Sequence, residues 1–419
     1  MSLPSAPSAG RTAIIIGGGP AGLMAAEILA GAGAQVDLYE HMASVGRKLL
    51  LAGRSGLNLT NSEPVEELVA RFGNAALVAD SVRHYPPSVL REWATGLGEP
   101  TYVGSSGRIF PTSFRATPLL RAWLARLEAL GVRIHVRHQW LGWGTNADGT
   151  VDPLAHRFQT ADGATVCTRS NITVFALGGA SWPRVGSDGK WVSRFVGAGL
   201  DVRTLRPANC GLHIEWSRMF AEQYAGTPVK NTRLTIGSTT ARRDITITAC
   251  GQESGPIYMV SADARDAIDR DGACTLAVDL HPDLTADAVT ERLSSRRPKD
   301  SMSTFLRRSL GLAPVAVALL REANHNSLPS DPLVLAKLIK AVPLSVQSVA
   351  PIDRAISTAG GLSFDEVNEH FMIRSLPGTF VAGEMLDWEA PTGGYLLQAA
   401  FSTGVAAARG ALAWTQSAL

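Results

Sequence analysis

Cysteine is scarce in this 419-residue chain, and neither sign of charge is in large excess. The four cysteines, Cys167, Cys210, Cys250 and Cys274, lie far apart and form no Cys-x-x-Cys pair. That spacing argues against a redox dithiol or a zinc cluster and predicts free thiols in a reducing cytoplasm. With 39 basic against 37 acidic side chains, the net charge is +2, so no global field marks the chain as a nucleic-acid binder. Long uncharged apolar runs are missing as well. The most apolar stretch, 13–36, carries Glu27 and several glycines, so no membrane span is expected. Residues 1–11 lack a basic n-region and an apolar core, and read as a flexible tail rather than a signal peptide. None of the nine histidines shows ligand spacing, and no metal is expected: His135 and His138 flank a predicted strand end, where they would point differently.

What is present is an apolar fraction of 45%, enough for a substantial core and for two or three domains. Its clearest local signal is a short buried strand, 12–16, running into Gly17-Gly18-Gly19-Pro20-Ala21-Gly22 and then a helix, with Glu40 closing the next strand, 36–40. This is a dinucleotide-binding βαβ unit: one glycine allows the tight turn, one the approach of a pyrophosphate, and one the packing of helix on strand. The N–H groups of the helix start favour phosphate. Glu40 is suited to accept from the adenosine ribose hydroxyls, and its charge would repel a 2′-phosphate, which favours FAD or NAD over NADP.

Further on, 46–61 is too glycine-rich for a stable helix and too polar for a buried strand, and reads as a loop laid against a ligand. Helical periodicity returns in 65–72, 88–95 and 118–130, before a strand at 132–136. Residues 146–149 are turn-like, and 172–179 is a buried strand with a glycine turn. From about 205 the texture becomes β-rich, with runs such as 234–236 and 245–248; from 285 it is helical, in 286–293, 302–310, 314–323 and 332–341. Strand 378–384 and helix 396–414 close the chain. The expected architecture is α/β: a Rossmann-type FAD-binding domain from 12–204 and 346–419, an inserted β-rich domain at 205–284, and a small helical bundle at 285–345.

Three glycine turns, ending at Gly22, Gly179 and Gly394, would meet at the strand C-termini of such a sheet. A long dinucleotide ending in isoalloxazine needs such separate supports, so the pattern suits FAD. The candidate cofactor contacts are Gly17, Gly19, Pro20, Ala21 and Gly22; Glu40 and His41; Gly46, Arg47 and Lys48; Gly53, Asn58 and Thr60; Trp140; Ala176, Gly178 and Gly179; Gly383 and Glu384; and Gly393, Gly394, Tyr395 and Leu396. Arg47 and Lys48 are expected to return to the pyrophosphate, and Glu384 to accept from a ribityl hydroxyl. The N–H groups before the last helix would face the pyrimidine end of the flavin and favour its reduction by about 0.3–2 kcal/mol. Arg54, Glu389 and Tyr395 are the acid or base candidates. No second Gly-x-Gly-x-x-Gly follows a strand, since Gly197-Ala198-Gly199 lacks the third glycine. NADH or NADPH, if used as a transient reductant, would have to borrow the substrate cleft.

Several of these motifs together resemble a known family. The first glycine turn, Gly46-Arg47-Lys48, the 53–61 loop, Gly107-Arg108-Ile109-Phe110-Pro111 with Ser113 and Ala116, the turn 177–183, 358–361, Ala382-Gly383-Glu384 and Pro391-Thr392-Gly393-Gly394-Tyr395 are similar to those of the BaiN/YhiN-like bacterial flavoproteins, often labelled aminoacetone-oxidase-like. The resemblance implies FAD, a Rossmann-type domain, an inserted β-domain and a helical subdomain. It also implies activities as different as amine oxidation, reduction of conjugated double bonds in steroid-like substrates, and reduction of a ribosomal RNA uridine to dihydrouridine. Many relatives carry Gly-Gly-Arg-Cys-Asn where Arg54-Ser55-Gly56-Leu57-Asn58 stands here, which marks a divergent subgroup without that thiol.

The favoured function is a cytoplasmic FAD oxidoreductase moving a hydride to or from a small or medium organic substrate held between the FAD domain and the insert. RNA is a second partner class, because Arg292, Arg296, Arg297, Lys299, Arg307 and Arg308 face only Asp300 between positions 292 and 308. A solvated helix face is the preferred reading of that patch, since its one aromatic neighbour is Phe305. An amine oxidase and a non-catalytic flavin-binding protein are the remaining alternatives.

Overall fold

The computed structural model describes residues 10–417 apart from 298, so most of the tail expected at 1–11 lies outside the described residues. The chain divides into two compact units: Met1–Arg206 with Ser357–Leu419, and Pro207–Ile356.

The first unit is built on a parallel sheet. β1 (Thr12–Ile16) leads through the glycine turn into α1 (Pro20–Gly31), and β2 (Gln35–Glu40) pairs in register with β1. Arg47–Ala52 forms α2, a correction to the expected loop: glycines bracket this Arg-Lys-Leu-Leu-Leu-Ala run but do not interrupt it, and Gly46 supplies the left-handed turn (φ 68°) from which it starts. β3 (Thr60–Asn61), β4 (Thr101–Val103) and β5 (Arg108–Pro111) form a small antiparallel sheet with β5 in the middle. β6 (Arg133–Val136) pairs with β2. An antiparallel sheet of β7 (Gln139–Thr145), β8 (Val151–Gln159) and β9 (Thr165–Arg169) precedes β10 (Ile172–Phe175). The five-stranded sheet runs Thr379–Val381, β10, β1, β2, β6, so a strand from the far end of the chain lies beside β10. Ile14, Ile15, Val174, Phe175, Phe380 and Val381 are buried, as expected for strands covered on both faces. The C-terminal helix Tyr395–Ser417 packs on α1, and Gly404 allows this contact, because a Cβ there would collide with the Ala21 carbonyl.

The second unit is a seven-stranded antiparallel sheet packed with helices. Its order is Val342–Val346, Cys274–Asp279, Pro228–Ile236, Thr239–Thr248, Gly251–Glu253, Leu212–His213, Ser348–Val349. The strands at 342–349, which follow the helices in sequence, therefore lie at the two edges of this sheet. One apolar core joins sheet residues such as Leu234 and Ile247 to Phe305, Leu319 and Ile339 of the helices, so the β-rich and helical textures belong to one unit. The β-type texture also hides a 17-residue helix, Gly255–Asp271. Its buried stripe, Ile257, Val260, Ser261, Ala264 and Arg265, has helical spacing but is diluted by polar neighbours. In the basic segment, Arg308 pairs with Asp300 at 2.6 Å and Arg296 donates to the Asp300 carbonyl.

Candidate cofactor site

The first glycine turn is shaped for close approach. Gly17 (φ 110°) leaves no room for a Cβ against the Ala176 carbonyl, and its N–H donates to the Tyr39 carbonyl at 2.9 Å. Gly22 likewise has no room against the Gly17 carbonyl. Gly19 differs: it caps α1 without a side-chain hydrogen bond, and a Cβ there would meet nothing within 4 Å. The first turn of α1 carries no acid, so no side chain of that turn neutralises its positive end.

Glu40 closes β2 and turns onto this loop, 8% exposed. It accepts from the Gly18 N–H at 2.9 Å and the Met42 N–H at 2.8 Å, and pairs with His41 Nδ1 at 3.1 Å. Burial pushes its pKa up, but the His41 hydrogen bond and the two backbone donors outweigh burial and hold it below the usual carboxylate value. His41 is raised in turn, chiefly by its hydrogen bond to Glu40. Three partners leave carboxylate lone pairs for a further donor.

The other turns converge on the first. Gly383 (φ 81°) abuts the Ala21 methyl, and Gly178 (φ 68°) lies beside Ser187 and Glu384. Gly179 packs on Thr358, whose hydroxyl accepts from the Ala180 N–H at 2.9 Å. Lys48 and Glu384, expected near the pyrophosphate and ribityl chain respectively, are joined to each other: Lys48 Nζ lies 2.6 Å from Glu384 Oε2 and donates to Ser181 Oγ at 2.7 Å. Glu384 also accepts from the Thr358 N–H at 3.0 Å. The pairing arises because α2 projects Lys48 across to the turn after Thr379–Val381, where an unpaired carboxylate would be costly.

Gly393 and Gly394 (φ 136° and 101°) bring the start of the C-terminal helix onto β3. A Cβ at Gly394 would collide with the Thr60 main chain, and Asn61 Nδ2 donates to the Gly393 carbonyl at 3.1 Å. Tyr395 follows, its ring folded over Gly393 with Arg71 5.9 Å above it. Burial, with Glu63 nearby, pushes its phenol up to about 12. Leu396 is half-buried, Arg54 is exposed on the 53–59 loop, and Glu389 is half-buried next to Trp388, apart from the 53–59 loop in sequence. The three acid or base candidates are thus spread over two turns and a loop.

Four buried polar atoms in these segments have no partner: Arg47 Nε, Asn58 Oδ1, Thr60 Oγ1 and Ser187 Oγ. Orphaned buried groups are uncommon, and these four, among eleven such atoms in the described residues, are available to a polar, extended ligand such as FAD. Ser187 and Thr358 escaped the sequence reading as site residues; the flanking Gly186 (φ 105°) was the one signal for the former. The Trp140 side chain is already occupied. Its ring is enclosed among Trp143, Phe175 and Phe195, and its N–H donates to His156 Nδ1 at 3.3 Å, so only main-chain groups remain to offer a ligand there. Burial pushes His156 down to about 3, which keeps it a neutral acceptor. His135 is likewise occupied, stacked on Tyr39 and 2.7 Å from Asp37.

Comparison with known proteins gives a match over residues 11–410 to the family described as HI0933-like protein Rossmann domain. A curated relative, the 3-dehydro-bile acid delta(4,6)-reductase of Clostridium scindens, is 26% identical over 419 residues, spanning 95% of this chain and 98% of that one. Among solved structures, 3-ketosteroid-delta4-(5alpha)-dehydrogenase of Rhodococcus jostii RHA1 superposes with a TM-score of 0.51 at 17% identity, over 96% of this chain and 97% of that one. For 3-ketosteroid delta1-dehydrogenase of Sterolibacterium denitrificans the TM-score is 0.55 at 13% identity, over 96% and 100%. At these identities the likeness to the solved structures is one of fold.

Proposed function

The chain belongs to the HI0933-like Rossmann-domain family, and from that premise we propose that it is an FAD-dependent oxidoreductase transferring a hydride to or from an organic substrate, with reduction the favoured direction. The observation that carries this reading is the convergence of glycine turns from both ends of the chain, lined by partnerless polar atoms and an uncapped helix start. FAD, when bound, supplies the hydride chemistry; the protein positions and polarises it.

In this reading the N–H groups of the α1 start hold the pyrophosphate, and Glu40 takes the adenosine ribose. Arg47, Asn58, Thr60 and Ser187 spend their unused hydrogen-bonding capacity on the cofactor. The N-terminus of the C-terminal helix stabilises negative charge at the pyrimidine end. Burial keeps the Tyr395 phenol protonated at neutral pH, so it can serve as a hydrogen-bond donor. The Lys48–Glu384 pair positions α2 against the turn at Gly383, so that both enclose the same ligand. The relative from Clostridium scindens is named for reduction of a bile acid, which supports a substrate with an apolar ring body and a conjugated double bond.

The test is the absorption spectrum of the purified chain, followed by anaerobic addition of NADH or NADPH and then of enone substrates. Flavin bands that bleach with the reductant and return with the substrate are expected. A chain that neither carries nor takes up flavin sinks the proposal; a flavin that no reductant or substrate changes leaves only a binding protein.

A further inference from the structure

An aromatic ledge stands on the small antiparallel sheet next to the 53–59 loop. Tyr102 of β4 and Phe110 of β5 stack with centroids 5.9 Å apart, and Phe110 lies 5.2 Å from Phe114. Tyr102 is 41% exposed and Phe114 42%, unusual for adjoining large rings on a protein surface. The position of Phe114 is enforced. Its φ of 60° lies in the left-handed region, where a bulky residue is strained, and its ring covers Gly56 so closely that a Cβ there would run into it. The Phe114 carbonyl accepts from the Leu57 N–H at 3.0 Å, so ledge and loop are fastened together. That loop and the start of β3, into which it leads, carry the partnerless Asn58 and Thr60 atoms, which makes the ledge continuous with the candidate cofactor site.

The two segments that build the ledge carry only basic charge, with Glu63 and Glu99 just outside them. Neither 46–62 nor 101–115 contains an Asp or Glu. Arg54 and Arg115 are both exposed and make no side-chain hydrogen bond or ion pair among the described residues. Gly53 packs on Ala116 and Gly56 on Phe114, so the two arginines sit on adjacent segments flanking the Phe114 ring. An arginine free of internal partners presents a planar fork matched to a carboxylate, while exposed rings present apolar faces for stacking.

We propose that this ledge is the substrate-recognition site and that it takes a flat, apolar ring molecule carrying a carboxylate-class anion, the rings lying on Phe114, Phe110 and Tyr102 and the anion on Arg54 and Arg115. The proposal rests on the oxidoreductase reading and adds to it where the substrate lies and what charge it bears. The ledge is short and only two of its cations, Arg54 and Arg115, are exposed beside the Phe114 ring, which suits a small molecule better than an RNA strand.

The test uses the flavin-loaded full chain and calorimetric titration with 2-naphthoate and its neutral counterpart 2-naphthalenemethanol. At low salt, 2-naphthoate is expected to bind at least about tenfold tighter, and Arg54→Gln with Arg115→Gln to erase that preference. Phe114→Asn, which suits a left-handed backbone, should weaken both probes about tenfold with flavin content unchanged. Tyr102→Ser, at an exposed strand position, provides the same readout should Phe114→Asn fail to fold. Equal affinity for the two probes, or undiminished binding by both ring variants, overturns the ledge alone; a chain without flavin removes the oxidoreductase reading and the ledge with it. Tighter binding of a single-stranded oligouridine than of 2-naphthoate, lost in the same variants, also overturns it, in favour of RNA.

Discussion

In the proposed reading, Glu40 and its neighbour His41 are where single side chains govern cofactor choice. Glu40→Arg replaces the carboxylate held by the Gly18 and Met42 N–H groups with a cation, and the expected result is a chain that loses most of its flavin on gel filtration; full retention would mean the adenosine end lies elsewhere. The neighbouring pair also gives a pH signature. The depressed Glu40 pKa contributes stability that is present above its unfolded value and lost as pH falls through the folded one. The raised His41 pKa contributes stability that is present below its unfolded value and lost as pH rises through the folded one. The ion pair therefore acts in the mildly acidic range between the two. His41→Asn should lower Tm at pH 6 by at most about 1–2 °C, from a partly exposed pair worth about 0.2–1 kcal/mol, and by nothing measurable at pH 9. An equal deficit at both pH values would show that His41 acts by packing.

At the scale of elements, turns and helix starts set the site, and two glycines separate their roles. Gly19 adopts an ordinary extended backbone with open space where a Cβ would stand, so Gly19→Ala should leave the melting of the flavin-free chain unchanged while weakening FAD binding at least about tenfold through the pyrophosphate alone. Gly394 combines φ 101° with contact on the Thr60 main chain, so Gly394→Ala should destabilise the chain itself by about 2 kcal/mol or more, flavin or not. Differential scanning calorimetry with and without FAD distinguishes the two; matching behaviour would refute this division of labour. Helices bounded by clear caps were legible in advance. Ala286–Leu293 and Met302–Leu310 start at Thr285 and Ser301, whose hydroxyls accept from the backbone three residues on, and the sequence periodicity alone finds both. α2 is hidden in the sequence because glycines bracket the six good helix formers that build it.

For the whole molecule, the first unit holds every candidate cofactor residue, and the second has its own core. Val202–Ala208 pairs with Ser357–Leu362, so the chain leaves and re-enters the first unit at neighbouring strands. Replacing 209–355 by a short Gly-Ser linker should therefore leave a yellow, folded protein with near-stoichiometric flavin. Loss of flavin in that variant would show that the second unit is needed to build the cofactor site, contrary to its separate core.

The sequence by itself determined the βαβ unit, the acid at the end of β2, the glycine turns and most helices, because each depends on neighbours within a few turns of chain and on backbone freedom carried by residue type. Tertiary structure alone decided that Lys48 reaches Glu384, that the Trp140 ring is walled in by Phe175 and Phe195, and that strands at 342–349 complete the sheet begun before the helices. Those outcomes depend on which distant segments come into contact, and a side chain's partner across hundreds of residues leaves no periodicity in the sequence around it.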